Sequence, residues 1–217
     1  MKKLLTVITA GLLLSSMAWA GDTGTRTYEV TVTNLSKGIN FTPLLGVVHN
    51  RNIGLFELGQ PASDELADLA EGGNTAPLEM MLANSTNVYD TTTTSGLLGP
   101  GESVTFTIEG RNSHRLFSLA SMLLPTNDAF VAINSIRLPR HGPGSVTFAR
   151  AYDAGSEIND ELCASIPGPT CGGTPFSEGQ AEGYVYVSNG IHGNADLSSE
   201  EYNWNNPIAS VSIHLVQ

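Results

Sequence analysis

The sequence predicts an all-β protein, an eight-stranded antiparallel β-sandwich with two short helices inserted between early strands. Segments in which apolar and polar residues alternate recur along the 217 residues, and alternation with a period of two is typical of strands buried on one face. Turns rich in glycine, proline and asparagine separate these segments. Beyond the first 20 residues only two segments have helical spacing, so the core must come mainly from packed strands.

The first predicted strand is "TYEVTVTNL", in which Tyr28, Val30 and Val32 share one face and threonines occupy the other. The same period predicts four more half-buried strands: "SVTFTIE" (103–109), "SVTFAR" (145–150), "GYVYVS" (183–188) and "ASVSIHLV" (209–216). Three segments are apolar almost throughout, which predicts strands covered on both faces. They are "PLLGVVH" (43–49), "RLFSLASMLL" (115–124) and "AFVAINSI" (129–136).

Two segments between the second and third predicted strands have helix signals. In "PASDELADLAEGG" Ser63 is the predicted N-cap and a Gly-Gly pair the predicted end. In "TAPLEMMLAN" we expect Thr75 to cap a helix whose buried stripe contains Leu78, Met81 and Leu82. The threonine-rich segment that follows, "STNVYDTTTTSGLLGPG" (85–101), is predicted to be an exposed connection.

The first 20 residues have the pattern of a secretory signal peptide. Lys2 and Lys3 precede an apolar run from Leu4 to Leu14, and an Ala-Trp-Ala pattern ends the segment at Ala20. We therefore expect an exported protein, periplasmic or extracellular, whose mature chain is a single domain over residues 21–217. No later run approaches the roughly 20 apolar residues that a membrane helix needs, so no membrane span is predicted.

The chain is strongly acidic, with 21 acidic against 10 basic residues and a formal charge of −11. Removal of a leader that contains Lys2 and Lys3 would make the charge two units more negative. Such a charge repels nucleic acid, which excludes that class of partner, and favours cations.

Two cysteines are present, Cys163 and Cys171. In an oxidising compartment an isolated pair at this spacing is expected to form a disulfide, which would stabilise the fold by about 2.5 kcal/mol through loop closure. A zinc site is the alternative, but neither cysteine has a second Cys or His at metal-ligand spacing.

Acidic residues cluster after the strand predicted at 145–150. The segment "RAYDAGSEINDELCASIPGPTC" carries four carboxylates, and one more follows: Asp153, Glu157, Asp160, Glu161 and Glu178. If the strands at 115–124, 129–136 and 145–152 are successive antiparallel neighbours, Asp128 and Asp153 leave the same end of the sheet. These two carboxylates, 25 residues apart in sequence, would then be neighbours in space.

A calcium ion is the expected centre of such a cluster. In an extended chain Asp153 and Glu157 would be about 13 Å apart, so the chain must turn between them, and Gly155 permits that turn. Converging carboxylates repel each other unless a cation neutralises them, and an all-oxygen set selects Ca²⁺. The segment is not an EF-hand loop, because Ile158 occupies the glycine position. The alternative is that Asp153, Glu157, Asp160 and Glu161 are ordinary loop charges, solvated and apart.

Three segments resemble, in order and spacing, the spondin domain family of F-spondin and mindin, also found as a stand-alone domain in bacterial secreted proteins. They are "NFTPLLGVVHNRNIGLFELGQPASDELADLAEGG", "PTNDAFVAIN" and "AYDAGSEINDE", and the likeness extends from about Tyr28 to Val216. The resemblance implies an eight-stranded, C2-like sandwich with calcium at one loop end. Its three aspartate ligands fall on Asp128, Asp153 and Glu157, where glutamate replaces the family's aspartate. Asp160 and Glu161 have no counterpart and are expected to be loop charges.

Two functions remain open at this point. The first is a non-enzymatic recognition or adhesion module that binds calcium and has an unknown protein, glycan or cell-envelope ligand. The second is a secreted glycan hydrolase with Asp128 and Asp153 as its acid and base. The sequence has no G-x-S-x-G, H-E-x-x-H or Walker motif. Four aromatic residues could form a sugar platform or belong to the core and loops: Tyr184, Tyr186, Tyr202 and Trp204.

Overall fold

The computed structural model of the chain describes residues 24–175 and 179–216. The predicted signal peptide and Glu178 lie outside these residues. The described part contains ten strands and three helices. The strands are β1 (Arg26–Asn34), β2 (Asn40–Phe41), β3 (Leu45–His49), β4 (Val88–Thr93), β5 (Ser103–Gly110), β6 (Leu116–Leu124), β7 (Ala129–Arg137), β8 (Ser145–Asp153), β9 (Tyr186–Val187) and β10 (Ala209–Leu215). The helices are α1 (Asp64–Gly72), α2 (Ala76–Ala83) and α3 (Ser199–Tyr202).

The strands form one antiparallel sheet in the order β4-β3-β6-β7-β8-β10-β1-β5, with β2 paired to β6 and β9 to β8. The two ends of this path return to each other. The Glu109 N–H donates to Asp90 Oδ2 at 2.7 Å, and the Thr92 hydroxyl donates to the Thr107 carbonyl at 3.3 Å. The sheet is therefore rolled almost into a barrel. The all-β prediction is confirmed, while the two-layer, C2-like arrangement stays a prediction.

The central strands are apolar on both faces because each face meets a different core. One core fills the interior of the roll and includes Val30, Phe117 and Val211. The other lies beneath α1 and α2, where helix residues such as Leu69 pack against Phe130 of β7. The prediction of coverage on both sides is confirmed for β3, for β6 and for residues 129–133 of β7, whereas the last part of β7 is half-exposed.

The two predicted helices form, but their ends differ from the prediction in one respect. At α1 the Leu66 N–H donates to Ser63 Oγ at 3.2 Å, and Gly73 ends the helix with a φ of 66°, as expected. At α2 the predicted Thr75 cap is wrong: its backbone is already α-helical, and its side chain makes no capping bond. The Ala76 N–H donates instead to Asn74 Oδ1 at 3.3 Å. Met81, placed in the buried stripe by the sequence, is 40% exposed.

The prediction that the threonine-rich segment is an exposed connection is wrong for residues Val88–Thr93. Residues Val88–Thr93 form β4, which pairs with β3 and is half-buried. The Thr91 and Thr93 hydroxyls donate to the Glu79 carboxylate of α2 at 3.2 and 2.9 Å. The β-branched threonines therefore serve a strand that α2 covers in part.

Two smaller elements also differ. The strand predicted at 183–188 is reduced to the two residues of β9, and α3 was not predicted. The predicted disulfide is confirmed, since the Cys163 and Cys171 sulfurs are 2.04 Å apart. Of the helices within the described ranges, none has the length and apolar character that crossing a bilayer would require.

Candidate functional site at the acidic end of the sheet

Asp128 and Asp153 are neighbours at one end of the sheet, as the strand order predicts. Asp128 immediately precedes β7, and the register of β7 and β8 pairs Ala129 with Asp153. The Ala154 N–H also donates to the Asp128 carbonyl at 3.1 Å. Two carboxylates distant in sequence are thus joined by backbone pairing.

The chain turns sharply after Asp153, and Gly155 is the residue that permits the turn. Its φ is +64°, a conformation that favours glycine. A Cβ at this position would lie 2.3 Å from the Tyr184 carbonyl oxygen, so no side chain fits. The Gly155 N–H donates to Asp153 Oδ1 at 2.9 Å, which fastens the turn to the carboxylate that precedes it.

The three predicted ligands are almost fully buried. Asp128, Asp153 and Glu157 are 0%, 2% and 1% exposed. The alternative that Asp153 and Glu157 are ordinary solvated loop charges is therefore wrong. We call the region that the three predicted ligands and Glu161 occupy the acidic end.

Asp128 is held by the turn but not fully satisfied. Its Oδ2 accepts from the Ser156 and Glu157 N–H groups at 2.8 and 3.0 Å, and from the Ser156 hydroxyl at 3.3 Å. Its Oδ1 is buried and has no hydrogen-bond partner. A buried acceptor without a partner costs about 1–3 kcal/mol, which makes this atom a candidate ligand for something that binds there.

Asp153 belongs to a polar chain that reaches the surface. Its Oδ2 accepts from the Asn159 side-chain amide at 2.9 Å. The same amide lies 3.1 Å from the Tyr186 hydroxyl, which donates to Glu182 Oε1 at 3.2 Å. The sequence did not predict Asn159 or Tyr186 as part of the acidic site, because neither residue belongs to a charge pattern.

Burial shifts the titration of both aspartates in the same direction. It raises the pKa of Asp128 to about 6, although the Glu157 and Ser156 amides oppose the shift. It raises the pKa of Asp153 to about 7, and the negative charge of Asp128 adds to this effect. The two groups therefore lack a nearby positive charge strong enough to offset their desolvation.

In the present side-chain arrangement the acidic end is not a ready-made metal cage. Within the described ranges, no group of three or more His, Cys, Asp or Glu side chains is placed so that it could hold a metal ion. What the fold provides is two adjoining aspartates, a glutamate held on the same turn and a buried oxygen without a partner.

Glu161 corrects the prediction that Asp160 and Glu161 are simple loop charges. Glu161 is only 4% exposed, and its two carboxylate oxygens accept from the N–H groups of His192 and Asn194 at 2.6 and 2.7 Å. Asp160 accepts from the Asn127 side chain at 2.9 Å. Both carboxylates bind loops together because they accept hydrogen bonds from backbone and side-chain donors of other segments.

A polar cavity lies beside the acidic end. Its described lining residues are Asn159, Glu161, Glu182, Tyr186, Asn189, Gly190, His192 and Asn194. Neither Asp128 nor Asp153 is among them. The four aromatic residues do not form one platform: Tyr184 and Tyr186 stand side by side with ring centres 5.8 Å apart, whereas Trp204 is buried in the interior core and Tyr202 packs against that core.

The fold and this site define a class of protein: a small antiparallel β domain with a buried acidic centre beneath the loops at one end. The Spondin_N family model matches residues 13–156, about two thirds of the chain, including Asp128 and Asp153 and ending one residue before Glu157. The chain therefore belongs to the spondin N-terminal domain family, as its sequence segments predict. A search of curated proteins found no significant match.

Proposed function

We propose that this protein is an exported calcium-binding spondin-domain module that acts by recognition or adhesion and not by catalysis. The observation that carries the proposal is Asp128, which is completely buried and has one carboxylate oxygen without a partner, beside the buried Asp153. Family membership supports an extracellular module.

The residues at the acidic end fit a calcium ion in kind and charge. Asp128, Asp153 and Glu157 would hold it, and all their donor atoms are carboxylate oxygens, which Ca²⁺ prefers. The ion would supply two positive charges that offset the repulsion between the carboxylates. Because the side chains as they stand form no group of three ligands, binding requires side-chain torsions to change, and Glu157 has one more rotatable side-chain bond than an aspartate.

Export is supported by three observations of different kinds. The first 20 residues have the pattern of a signal peptide. The Cys163–Cys171 disulfide requires an oxidising compartment. Family membership is the third. We therefore place the mature protein in the periplasm or outside the cell.

Recognition is favoured over glycan hydrolysis by the burial of the carboxylates. An acid and base pair must reach a glycosidic bond, whereas Asp128 and Asp153 are 0% and 2% exposed. The surface available to a partner is that of the loops above them. The partner would be a protein, a glycan or another component of the cell envelope, held by a loop end that calcium makes rigid.

Calcium titration of the chelator-treated protein, followed by thermal unfolding, tests the proposal. At ten times its dissociation constant a ligand that binds only the folded state stabilises it by about 1.4 kcal/mol. For a chain of this size that is a rise in Tm of about 3–6 °C. Asp153→Asn should abolish the rise.

The matched control is Glu57→Gln, which removes the same charge from an exposed loop residue. This variant should keep the full calcium response. A wild-type Tm that millimolar calcium does not move, or an equal response in Asp153→Asn, would refute the calcium site. A glycan hydrolase activity lost in both Asp128→Asn and Asp153→Asn would refute the non-catalytic role.

A further inference from the structure

The end of the sheet opposite the acidic end gathers arginines. The registers of β3, β6 and β7 set His49 beside Leu116 and Leu116 beside Arg137. Arg51 follows His49 in the chain, and Arg115 precedes Leu116. Three arginines on three adjacent strands or their turns therefore meet at one end, which we call the arginine end.

These arginines line a cavity of about 280 Å³. Its described lining consists of Asn50, Arg51, Asn112, Ser113, Arg115, Leu116 and Arg137. No carboxylate occurs among these described lining residues. The guanidinium groups of Arg51, Arg115 and Arg137 therefore line one small space.

Two neighbours organise the turn that forms one wall. The Arg26 guanidinium donates to Asn112 Oδ1 at 2.8 Å, and Arg115 Nε donates to the Asn112 carbonyl at 3.2 Å. Arg111 stacks over the Tyr89 ring, 4.8 Å from its centre. These contacts fix the backbone of the turn, so the cavity wall is preorganised.

The arginines repel one another. Partial burial, and after it the positive charges of Arg140 and Arg137, lower the pKa of Arg115. Six of the eight basic residues after position 20 belong to this end: Arg26, Arg51, Arg111, Arg115, Arg137 and Arg140. In a chain as acidic as this one, such concentration of the few positive charges indicates a site for an anion.

We propose that the arginine end binds a tetrahedral oxyanion, a phosphate or sulfate group, in the cavity between Arg51, Arg115 and Arg137. Guanidinium groups bind such oxygens with paired hydrogen bonds. A carboxylate has two oxygens, which one arginine satisfies. Three arginines that approach from separate elements match the larger number of oxygens and the higher charge of phosphate or sulfate.

The size of the cavity and the charge of the whole chain favour a single anionic group over a long polyanion. Arg137 lies nine positions after Asp128 in the sequence, a distance of roughly 30 Å along the strand. Salt screens charges beyond about 8 Å at physiological ionic strength. The acidic end therefore does not prevent a small anion from binding, but a polyanion that extends along the molecule meets its repulsion.

Thermal unfolding in chelator tests this proposal without involving calcium. Sodium phosphate and sodium sulfate are compared with sodium chloride at equal ionic strength. We expect a saturable rise in Tm of about 3–6 °C at ten times the dissociation constant, and none with acetate. In the wild-type NMR spectrum the amides of residues 50–52 and 112–116 should shift with phosphate.

Arg115→Gln with Arg137→Gln should remove the response, and the single variant Arg51→Gln, at an exposed position, should weaken it at least tenfold. Arg150→Gln removes the same charge from an exposed position on β8 and should leave it unchanged. Vesicles of phosphatidylglycerol, compared with phosphatidylcholine, distinguish a lipid phosphate from the free ion as the source. A phosphate effect equal to that of chloride, or the same effect in all variants, would overturn the proposal.

Discussion

The two ends of the rolled sheet carry opposite charges, and they differ in how deeply the charged side chains are buried. At the acidic end Asp128, Asp153 and Glu157 are buried, and backbone amides donate to the carboxylates of Asp128 and Asp153. At the arginine end Arg51 and Arg137 are exposed and have water around them. A carboxylate can be buried because backbone N–H groups bind it at short range, whereas a guanidinium with five donors is costly to cover.

Because of this difference, we expect the acidic end to contribute mainly to stability and the arginine end mainly to binding. The buried charges of the acidic end are part of the folded structure, so changes there should alter stability. At the arginine end Arg51 and Arg137 are exposed, so changes to these two charges should alter binding and leave stability almost intact. Four measurements test this contrast, in order of decreasing effect.

Gly155→Ala should have the largest effect. The new Cβ would lie 2.3 Å from the Tyr184 carbonyl oxygen in a left-handed backbone conformation, so we expect a loss of about 3 kcal/mol or more. Gly183→Ala is the matched control. That glycine also has a positive φ, of +80°, but nothing lies within 4 Å of the new Cβ, which limits the loss to about 1–2 kcal/mol. Urea unfolding measures both, and equal losses would contradict the close contact at Gly155.

Glu161→Gln should follow. One of two carboxylate oxygens that accept from the His192 and Asn194 amides would become an NH₂ group that cannot accept, at a cost of about 2 kcal/mol. Glu182→Gln, at an exposed position, should change the free energy of unfolding by less than about 0.5 kcal/mol. If Glu161→Gln were equally mild, Glu161 would be the solvated charge that its sequence context suggests.

The pH dependence of the free energy of unfolding, measured in chelator, should detect the raised pKa values of the buried aspartates. Since the pKa of Asp153 rises to about 7 on folding, the folded state binds its proton more tightly than the unfolded state does. Stability is therefore greater below this pKa and is lost as the pH rises through it. Burial lowers the pKa of His49, which acts in the opposite direction below its ordinary value of 6.5.

From about pH 6.5 to 8 the loss of stability from the carboxylates exceeds the opposing contribution of His49, which fades above its ordinary pKa of 6.5. Between these limits we expect the Tm to fall by about 1–3 °C in chelator. Asp153→Asn should flatten the curve, and saturating calcium should reduce its slope. A Tm that rises across this window in the wild-type protein would show that the aspartates are not desolvated.

Arg137→Gln should have the smallest effect on stability. The side chain is exposed, and its charge repels that of Arg115, so the free energy of unfolding should change by less than about 0.5 kcal/mol, in the stabilising direction if at all. Urea unfolding beside Arg150→Gln provides the comparison. A loss above 1 kcal/mol would mean that Arg137 supports the fold.

The strand pattern predicted the position of the acidic site because two apolar runs and one alternating segment fix the strand ends, and strand ends fix which residues meet. This reasoning placed Asp128 beside Asp153, and the β7–β8 register confirms it. It also placed the turn at Gly155. The proposed ligation stays a prediction, since adjacency is a property of the backbone and ligation is one of side chains and ions.

Other features depended on tertiary contacts that no local pattern carries. The threonines of β4 have strand propensity, but the sequence does not reveal that β3 and α2 are there to receive them. Glu161 is buried by a loop that returns 31 residues later at His192. The arginine end could have been predicted by applying the strand-end argument to the opposite ends of the same strands.

The separation of charge described above also makes the molecule an electric dipole aligned with its strands. Near a negatively charged surface such a molecule does not rotate freely, because the field turns the arginine end toward that surface. The loops that cover Asp128 and Asp153 would then face away from it, in the orientation that leaves them free to contact a second surface.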